Sequence, residues 1–279
     1  MKISINNYDS FKREYQKIVR EFQFEPKEDQ RARDILFKMI QSKKRHWKVE
    51  EILEEFKRKI EENNALLIYG CGPSLEDSVE KIIASQGKSI FKRFINLAAD
   101  GASVFLRERE LPLEGVFTDL DGITEKEFTY GEYLIVHAHG DNIDKLKSFK
   151  SHIIEKKNVI ATTQVEPKLG VFNPGGFTDG DRILYFIKNL INPDQILYLV
   201  GMDFKETVGK YSKPYKNEDF TASQIKRKKL QVAIELIEQF VKEVENKIFF
   251  VNSPHVSDKF NYLSLSEFIT EHIPKDYMV

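Results

Sequence analysis

Seven short apolar runs, separated by polar stretches, occupy the chain from about residue 63 onward. They lie at Ala65–Tyr69, Phe94–Ala98, Gly115–Thr118, Tyr133–His137, Asn158–Thr163, Ile196–Val200 and Ile248–Asn252. Helices are predicted between them, among others at Ser74–Gln86, Gly180–Leu190 and about 219–246. Strands that are apolar on both faces and alternate with helices are typical of a parallel sheet covered on both sides. We therefore predict an α/β fold with a doubly wound, mainly parallel, Rossmann-like sheet.

The first 62 residues have a different pattern, with no glycine, one proline (Pro26) and many charges. Apolar residues at helical spacing predict helices before Pro26, from about Lys27 to Ser42, and from Trp47 to Glu62. The Lys43-Lys44-Arg45 run is interpreted as a solvated helix end, where cations are favoured. We expect an N-terminal helical region at 1–62, an α/β catalytic domain at 63–256, and a C-terminal helix and tail at 257–279.

Composition limits the kind of partner and compartment. Lys and Arg total 43 against 44 Asp and Glu, a net charge of -1, so no global basic field exists to hold nucleic acid or an anionic membrane. One cysteine cannot form an internal disulfide and favours a reducing compartment. No stretch approaches ~18 consecutive apolar residues, and the amino terminus lacks the apolar segment of a signal peptide. We expect a cytoplasmic protein that binds neither nucleic acid nor membrane.

Polar residues follow the predicted strands, where ligands bind in such sheets. After the first strand come Gly70, Gly72, Pro73 and Ser74. Glycines admit a ligand close to the backbone, and Ser74 can cap a helix whose N-terminus favours an anion. A plain strand-to-helix connector would have the same pattern. Asp100-Gly101 follows the second strand, either as a helix cap or as a ligand group.

Asp119 and Asp121 follow the third strand within Thr118–Gly122. Two carboxylates two residues apart, just past a strand, point the same way and cannot both be buried in ionised form without a cation. Mg²⁺ binds through one or two carboxylates plus substrate phosphates. We predict that this pair binds Mg²⁺; the alternative is an ordinary Asp-Gly turn.

The fourth strand leads into His137, His139, Asp141 and Asn142. Zinc requires three or four ligands, and the single Cys71 is a poor candidate to complete such a site. We interpret these side chains as polar groups for phosphate or substrate, with zinc as the alternative.

The segment 173–182 opens a helix and combines glycines, a hydroxyl, two acids and an arginine. That inventory suits a phosphate-bearing ligand with its metal. Its candidate residues are Thr178, Asp179, Asp181 and Arg182, and Asp203 follows the sixth strand. The polar segment from Phe204 to Asn217 contains Gly and Pro and is predicted to be a loop or lid.

Taken together, these motifs resemble the archaeal 6-hydroxymethyl-7,8-dihydropterin pyrophosphokinase family, whose catalytic domain is similar to thiamine pyrophosphokinase. The resemblance is carried by Gly70–Leu75, Ala99–Ala102, Thr118–Gly122, His137–Asn142, Gly175–Arg182 and Gly201–Phe204, and the Lys228-Lys229-Leu230 helix extends it. The first sixty residues match only as a helical zone. Pro174 stands where an aromatic residue is expected, and Lys205 where a glycine is expected.

The resemblance implies transfer of the terminal diphosphate of ATP to the hydroxymethyl group of the reduced pterin, with release of AMP, in the synthesis of tetrahydromethanopterin or a folate-type cofactor. It implies that Asp119 and Asp121 bind Mg²⁺. The implied catalytic residues are Asp119, Asp121, His139, Asp141, Asp181 and Arg182. The residues implied to hold phosphates, further metal or water, or the pterin are Gly70, Gly72, Pro73, Ser74, Asp100, Gly101, His137, Asn142, Thr178, Asp179, Asp203 and Lys210.

Two other functions fit parts of the pattern. The Asp-Leu-Asp motif also suits a nucleotide-sugar-dependent, sialyltransferase-like glycosyltransferase, and the polar loops could belong to a nucleotide- or pterin-binding module without activity. The amphipathic N-terminal helices could cover the sheet or pair two subunits in a homo-oligomer, since either buries the same apolar stripe.

Overall fold

The computed structural model describes residues 3–43 and 47–273 of the chain. Three helices precede the sheet: α1 (Tyr8–Phe22), α2 (Pro26–Gln41) and α3 (Val49–Glu61). Pro26 opens α2, where its missing N–H has no intrahelical partner to lose and its fixed φ suits the first turn. The three predicted helices are therefore present. Residues 44 and 45 of the basic run lie outside the described residues.

Eleven strands and seven further α-helices of six residues or more follow within the described residues. The strands are β1 (Ala65–Tyr69), β2 (Ile95–Ala99), β3 (Gly115–Thr118), β4 (Tyr133–Ala138), β5 (Val159–Thr163), β6 (Val171–Phe172), β7 (Ile196–Val200), β8 (Thr207–Val208), β9 (Phe220–Thr221), β10 (Ile248–Val251) and β11 (Asn261–Leu263). The helices are α4 (Ser74–Gln86), α5 (Ala102–Glu108), α6 (Glu125–Tyr130), α7 (Ile143–Ser148), α8 (Lys150–Glu155), α9 (Asp179–Ile187) and α10 (Gln224–Glu243).

Nine strands form one sheet in the order β11-β10-β7-β1-β2-β3-β4-β5-β6, with every neighbouring pair parallel. All seven predicted strands are in it, each starting and ending within one residue of the expected position. The predicted α/β fold with a parallel sheet is thereby confirmed. A separate two-stranded antiparallel hairpin joins β8 to β9.

Successive residues of each strand point to opposite faces of the sheet and pack in two hydrophobic layers, one on each face. Leu66 and Ile68 pack in the layer that contains α1, α3, α9 and α10, whereas Leu67 and Tyr69 pack in the layer of α2 and α4–α8. The N-terminal helices are therefore divided between the two faces, and both layers continue into the sheet of the predicted catalytic domain.

The sheet also continues past residue 256, where a helix and tail were expected. β11 pairs in parallel with β10, and a short helical segment, Leu265–Glu267 followed by Phe268–His272, comes only after it. β11 has only three residues, of which Asn261 is polar and Tyr262 carries a hydroxyl, so it lacks the apolar run that marks the predicted strands. Residues 274–279 of the expected tail lie outside the described residues. Among the described residues, no helix combines the length and apolarity needed to cross a bilayer.

Candidate active site

A cavity of about 550 Å³ opens at the carboxyl ends of β1, β2, β3 and β7. The N-terminal turn of α9, the β8–β9 hairpin and the first turns of α10 complete its walls. The strand ends and α9 contribute acids, namely Asp100, Asp119, Asp121, Asp179 and Asp203. The hairpin and α10 contribute Lys213, Lys216, Lys226 and Lys229. The cavity therefore places carboxylates and ammonium groups on different structural elements that face a common space.

Three of these carboxylates converge. One oxygen each of Asp100, Asp119 and Asp179 lies within 4.8 Å of the other two. Asp100 follows β2, Asp119 follows β3 and Asp179 opens α9, so the parallel sheet itself brings them to one edge. Three hard oxygen donors at this separation can hold a divalent cation.

Burial and mutual repulsion make this arrangement unfavourable for three free carboxylates. Burial, and then the charges of Asp119 and Asp179, raise the pKa of Asp100 well above its ordinary value. Burial and Asp119 raise the pKa of Asp179 to about 6. Burial would also raise the pKa of Asp119, but the hydrogen bond and charge of His139, with Arg182, outweigh it and hold that pKa below its ordinary value. A cation between the three groups would relieve this repulsion.

Asp121 lies outside this group, contrary to the expected pairing with Asp119. The expectation assumed extended backbone, but the intervening Leu120 has φ of 73° and is fully buried. Its N–H donates to Oγ1 of Thr118 at 2.7 Å, which fixes the turn. The carboxylate of Asp121 consequently forms an ion pair with Lys213. The structure thus places Asp100 and Asp179, rather than Asp121, beside Asp119.

His139 contacts the carboxylate group directly. Its Nε2 lies 3.2 Å from Oδ2 of Asp119, and its Nδ1 accepts a hydrogen bond from the Asp141 N–H at 3.3 Å. Because Nδ1 accepts, the ring proton is on Nε2 and is directed at Asp119. His139 therefore orients this carboxylate.

Asn142 and His137 hold the segments after β3 and β4 in place. The Asn142 side-chain amide donates to the backbone carbonyls of Asp119, at 2.8 Å, and of His137, at 2.7 Å. This joins the ends of β3 and β4. His137 is buried beside Thr162, with Nδ1 3.1 Å from its hydroxyl. Neither residue lines the cavity, so both act on the site through their neighbours.

Asp181 was expected to be catalytic, and the structure corrects this. Its fully buried carboxylate accepts hydrogen bonds from the backbone N–H groups of Phe177 and Thr178 and from the Thr178 hydroxyl. Together these contacts form a capping box at the start of α9. The three hydrogen bonds that Asp181 accepts all come from the helix start, where they help to fix the position of Asp179.

The segment Gly70–Ser74 does not offer the expected phosphate cradle. The N–H of Gly70 donates to the Val200 carbonyl at 2.8 Å and that of Gly72 to the Gly201 carbonyl at 2.7 Å. The N–H and hydroxyl of Ser74 both donate to Asp203, at 2.7 and 2.6 Å. Gly70 and Gly72 line the cavity, but a Cβ on Gly72 would lie 2.5 Å from the Gly201 oxygen. These glycines therefore permit close packing of two chain segments, and Pro73 and Ser74 begin α4.

Gly101 permits a close approach of two chain segments, and Lys210 forms an ion pair outside the main cavity. A Cβ on Gly101 would lie 1.6 Å from the Tyr211 carbonyl oxygen, so the glycine admits the segment that carries Lys213. Lys210 pairs with Glu76 at 2.6 Å beside a separate cavity of about 410 Å³. Thr178 lines the main cavity.

Arg182 lies behind Asp179 in a buried chain of hydrogen bonds that the sequence did not reveal. Its Nη1 donates to Oδ1 of Asp179 and its Nη2 to Oε1 of Gln164, both at 3.2 Å. Gln164 in turn donates to Asp29 of α2 at 2.8 Å. Asp29 and Gln164 stand in no recognisable motif, and an acid on an amphipathic helix is normally interpreted as facing solvent.

A second cavity, of about 270 Å³, has His139 in its wall. It is lined by Gln23, Phe24, Glu25, Glu28, Asp29, His139, Gly140, Asp141 and Gln164. Lys229, which lines the first cavity, places its ammonium 5.5 Å from the centre of the Phe24 ring. The two cavities therefore adjoin at the Asp119–His139 pair and at Lys229.

The sequence comparisons with known proteins agree on one family. The family model described as 6-hydroxymethylpterin diphosphokinase MptE-like matches residues 38–209. The 6-hydroxymethyl-7,8-dihydropterin pyrophosphokinase of Pyrococcus furiosus is 35% identical over 233 residues, which cover 83% of this chain and 93% of the relative. The protein of the same name from Methanocaldococcus jannaschii is 33% identical over 241 residues, covering 83% and 94%.

Among solved structures, the chain is similar to a MAf glycosyltransferase from Magnetospirillum magneticum, with a TM-score of 0.44 and 12% identity. The match covers 77% of this chain and 38% of that structure, so the chain spans well under half of its length. The sequence relatives match over most of their own length, and the family model covers more than half of this chain. The protein belongs to the MptE-like family of 6-hydroxymethylpterin diphosphokinases.

Proposed function

We propose that the protein transfers diphosphate from ATP to the hydroxymethyl group of 6-hydroxymethyl-7,8-dihydropterin. In this reaction the pterin alcohol oxygen attacks the β-phosphorus and loses its proton, while AMP leaves with the oxygen that bridged the α- and β-phosphates. The family and the names of the relatives support the general reaction. The observation that carries the detailed proposal is the cavity in which clustered carboxylates face four lysines.

The carboxylates suit Mg²⁺. Asp100, Asp119 and Asp179 would hold the ion, because Mg²⁺ takes oxygen ligands and usually binds to proteins through few carboxylates plus phosphate oxygens. Bound there, it would supply charge neutralisation on the transferred phosphates. The raised pKa values of Asp100 and Asp179 support this role, since the site is short of positive charge.

The lysines suit the polyphosphate. Lys226 and Lys229 are three residues apart on α10 and therefore lie on one side of the helix. Burial lowers the pKa of Lys229, which indicates an ammonium that gains from an anionic partner. Lys213, held by Asp121, approaches from the hairpin side. Asp121 would then contribute by fixing a phosphate-binding lysine rather than by binding the metal.

The second cavity suits the pterin. Its lining includes the aromatic Phe24 and the carboxylates of Glu25, Glu28 and Asp141, of which Glu28 also pairs with Arg31 at 3.3 Å. A pterin ring offers an amino group and ring N–H donors and carries no negative charge, so it matches a wall of acceptors that repels a polyphosphate. A pterin bound in this cavity with its hydroxymethyl group toward His139 would bring its alcohol beside the Asp119–His139 pair. Such placement of the acceptor next to the phosphoryl donor is the main catalytic requirement of the reaction.

The product would be the pterin diphosphate used for tetrahydromethanopterin or a related folate-type cofactor, as the sequence resemblance implies. The decisive experiment is an assay of the purified protein with ATP, Mg²⁺ and 6-hydroxymethyl-7,8-dihydropterin, with AMP and ADP resolved by chromatography. We expect AMP and pterin diphosphate in equal amounts. ADP as the nucleotide product would contradict the proposal.

An Asp119→Asn variant and a Lys228→Ala variant complete the assay. Asp119→Asn is expected to abolish AMP formation. Lys228 lies on α10 but is exposed and does not line the cavity, so Lys228→Ala is expected to keep full activity. Binding of ATP and pterin without any AMP in the wild-type protein would favour the non-catalytic binding module.

A further inference from the structure

Asp29 of α2 lies outside the segment that the family model matches and is only 3% exposed. Its carboxylate accepts three hydrogen bonds, from the Tyr15 hydroxyl at 2.7 Å, the Gln164 amide at 2.8 Å and the Gly140 N–H at 2.7 Å. Burying a carboxylate is costly unless such donors compensate it. Three donors from three separate parts of the chain therefore converge on one side chain of the N-terminal region.

The Gly140 contact of Asp29 leads to His139. Gly140 follows His139 directly, and its N–H donates to Oδ1 of Asp29. A Cβ on Gly140 would lie 2.9 Å from Cβ of Glu28, so α2 is seated closely against this turn. The backbone that carries the His139 ring is thereby fixed relative to α2, and the ring contacts Asp119 at 3.2 Å.

The Gln164 contact of Asp29 leads to Asp179. Gln164, just past β5, donates to Oδ2 of Asp29 and accepts from Arg182 at 3.2 Å. Arg182 then donates to Asp179 at 3.2 Å. Because a side-chain amide has one donor end and one acceptor end, the carboxylate of Asp29 also fixes which end of Gln164 faces the guanidinium.

We propose that Asp29 is a positioning residue for the cation site, holding His139 against Asp119 and Arg182 against Asp179 at the same time. The proposal rests on the proposed function in that these carboxylates bind the divalent ion. Both oxygens of Asp29 are used by its three donors, so it acts through its neighbours although it borders the second cavity. The N-terminal helices are then part of the active site and more than a cover for the sheet.

The test is the affinity of the full-length protein for Mn²⁺ alone, measured by electron paramagnetic resonance without nucleotide. Asp29→Asn places an amide donor where all three partners are donors. Changes to groups that orient metal ligands typically cost 10–100-fold in metal affinity, so we expect its Kd for Mn²⁺ to rise by about tenfold or more. An unchanged Kd in a folded Asp29→Asn protein would overturn the inference.

Arg33→Met is the matched control. Arg33 lies on the same helix, is similarly buried and donates to the Glu166 carbonyl at 2.8 Å. Its loss therefore weakens the docking of α2 without touching the Gly140 or Gln164 contact of Asp29. We expect its Kd for Mn²⁺ to stay within about twofold of wild type. An equal loss in Arg33→Met would mean that α2 acts only through general stability, and would refute a specific role of Asp29.

Gln164→Met keeps the inference testable should Asp29→Asn fail to fold. It removes the Gln164 contacts to Asp29 and Arg182 and leaves the Gly140 contact of Asp29 in place. A several-fold weaker Mn²⁺ affinity is expected, whereas wild-type affinity would contradict the proposal. If the wild-type protein itself binds no Mn²⁺, the proposed cation site fails together with this inference. Binding by wild type with unchanged variants overturns the inference alone.

Discussion

Oδ2 of Asp119 and Nε2 of His139 are 3.2 Å apart, at the point where the two cavities adjoin. Asp119 belongs to the group that faces the lysines, and His139 to the wall that faces the acidic cavity. This pair therefore links the proposed cation site to the proposed acceptor site.

Replacing His139 by Gln is expected to weaken Mn²⁺ binding and to lower kcat by about 10–100-fold, because Asp119 loses the donor that orients it. Both quantities are measured on the same preparation. Asp141→Asn is the comparison, since Asp141 is exposed on the acceptor side. It should raise the KM for the pterin and leave the Kd for Mn²⁺ unchanged. Loss of metal affinity in Asp141→Asn would show that the two cavities do not divide the substrates as proposed.

Lys226→Ala and Lys229→Ala are each expected to raise the KM for ATP by about tenfold or more. A hydrogen bond to a charged group contributes about 1.5–3 kcal/mol, and about 1.4 kcal/mol corresponds to a factor of ten. Lys228→Ala, on the exposed side of the same helix, removes the same charge and should leave the KM for ATP unchanged. Equal effects of all three variants would point to a nonspecific electrostatic contribution.

Two glycine variants separate the hairpin from the carboxylates. Gly101→Ala would place its Cβ on the Tyr211 carbonyl and displace the segment that carries Lys213, so a higher KM for ATP is expected. Gly122→Ala would place its Cβ 2.1 Å from Oδ2 of Asp100, so weaker Mn²⁺ binding is expected. Steady-state kinetics and metal titration of both variants check this division. The same defect in both would mean that the hairpin and the carboxylates respond as one unit.

The strand ends could be predicted from the sequence because parallel strands bring their carboxyl ends to one edge. Asp100, Asp119 and His139 are close together for that reason, and Asp179 joins them from the start of α9. The periodicity of the apolar runs also located the seven main strands. These features depend on local pattern and on a general property of the fold, which a single sequence contains.

The remaining features depend on backbone detail and distant contacts. The positive φ of Leu120 directs Asp121 to Lys213, and nothing in the spacing of the two aspartates reveals it. The Thr178-x-x-Asp181 spacing before an apolar helix was a readable capping signal. Asp29, by contrast, meets Gln164 from 135 positions away in the chain, and no local pattern encodes that contact.

His137 is expected to make stability depend on pH. Burial, and then the charges of Arg182 and His139, lower the pKa of His137 well below 6.5 in the folded protein. Below pH ~6.5 the unfolded chain therefore takes up a proton that the folded protein does not. The contribution of His137 is complete above that pH and is lost as the pH falls, by up to about 1.4 kcal/mol per pH unit.

His137→Asn tests this expectation, because an amide can still donate to Thr162 at the position of Nδ1 but does not titrate. Urea unfolding in metal-free buffer at pH 7.5 and 5.5 should show that the variant loses about 1.4 kcal/mol less stability over this interval than wild type. His255→Asn is the control, since His255 is largely exposed and lies far along the chain; it should keep the wild-type dependence. Parallel loss in His137→Asn and wild type would mean that another group sets the acid sensitivity. Protonation of the buried His137 Nε2, which has no hydrogen-bond partner among the described residues, would then cost the folded protein nothing.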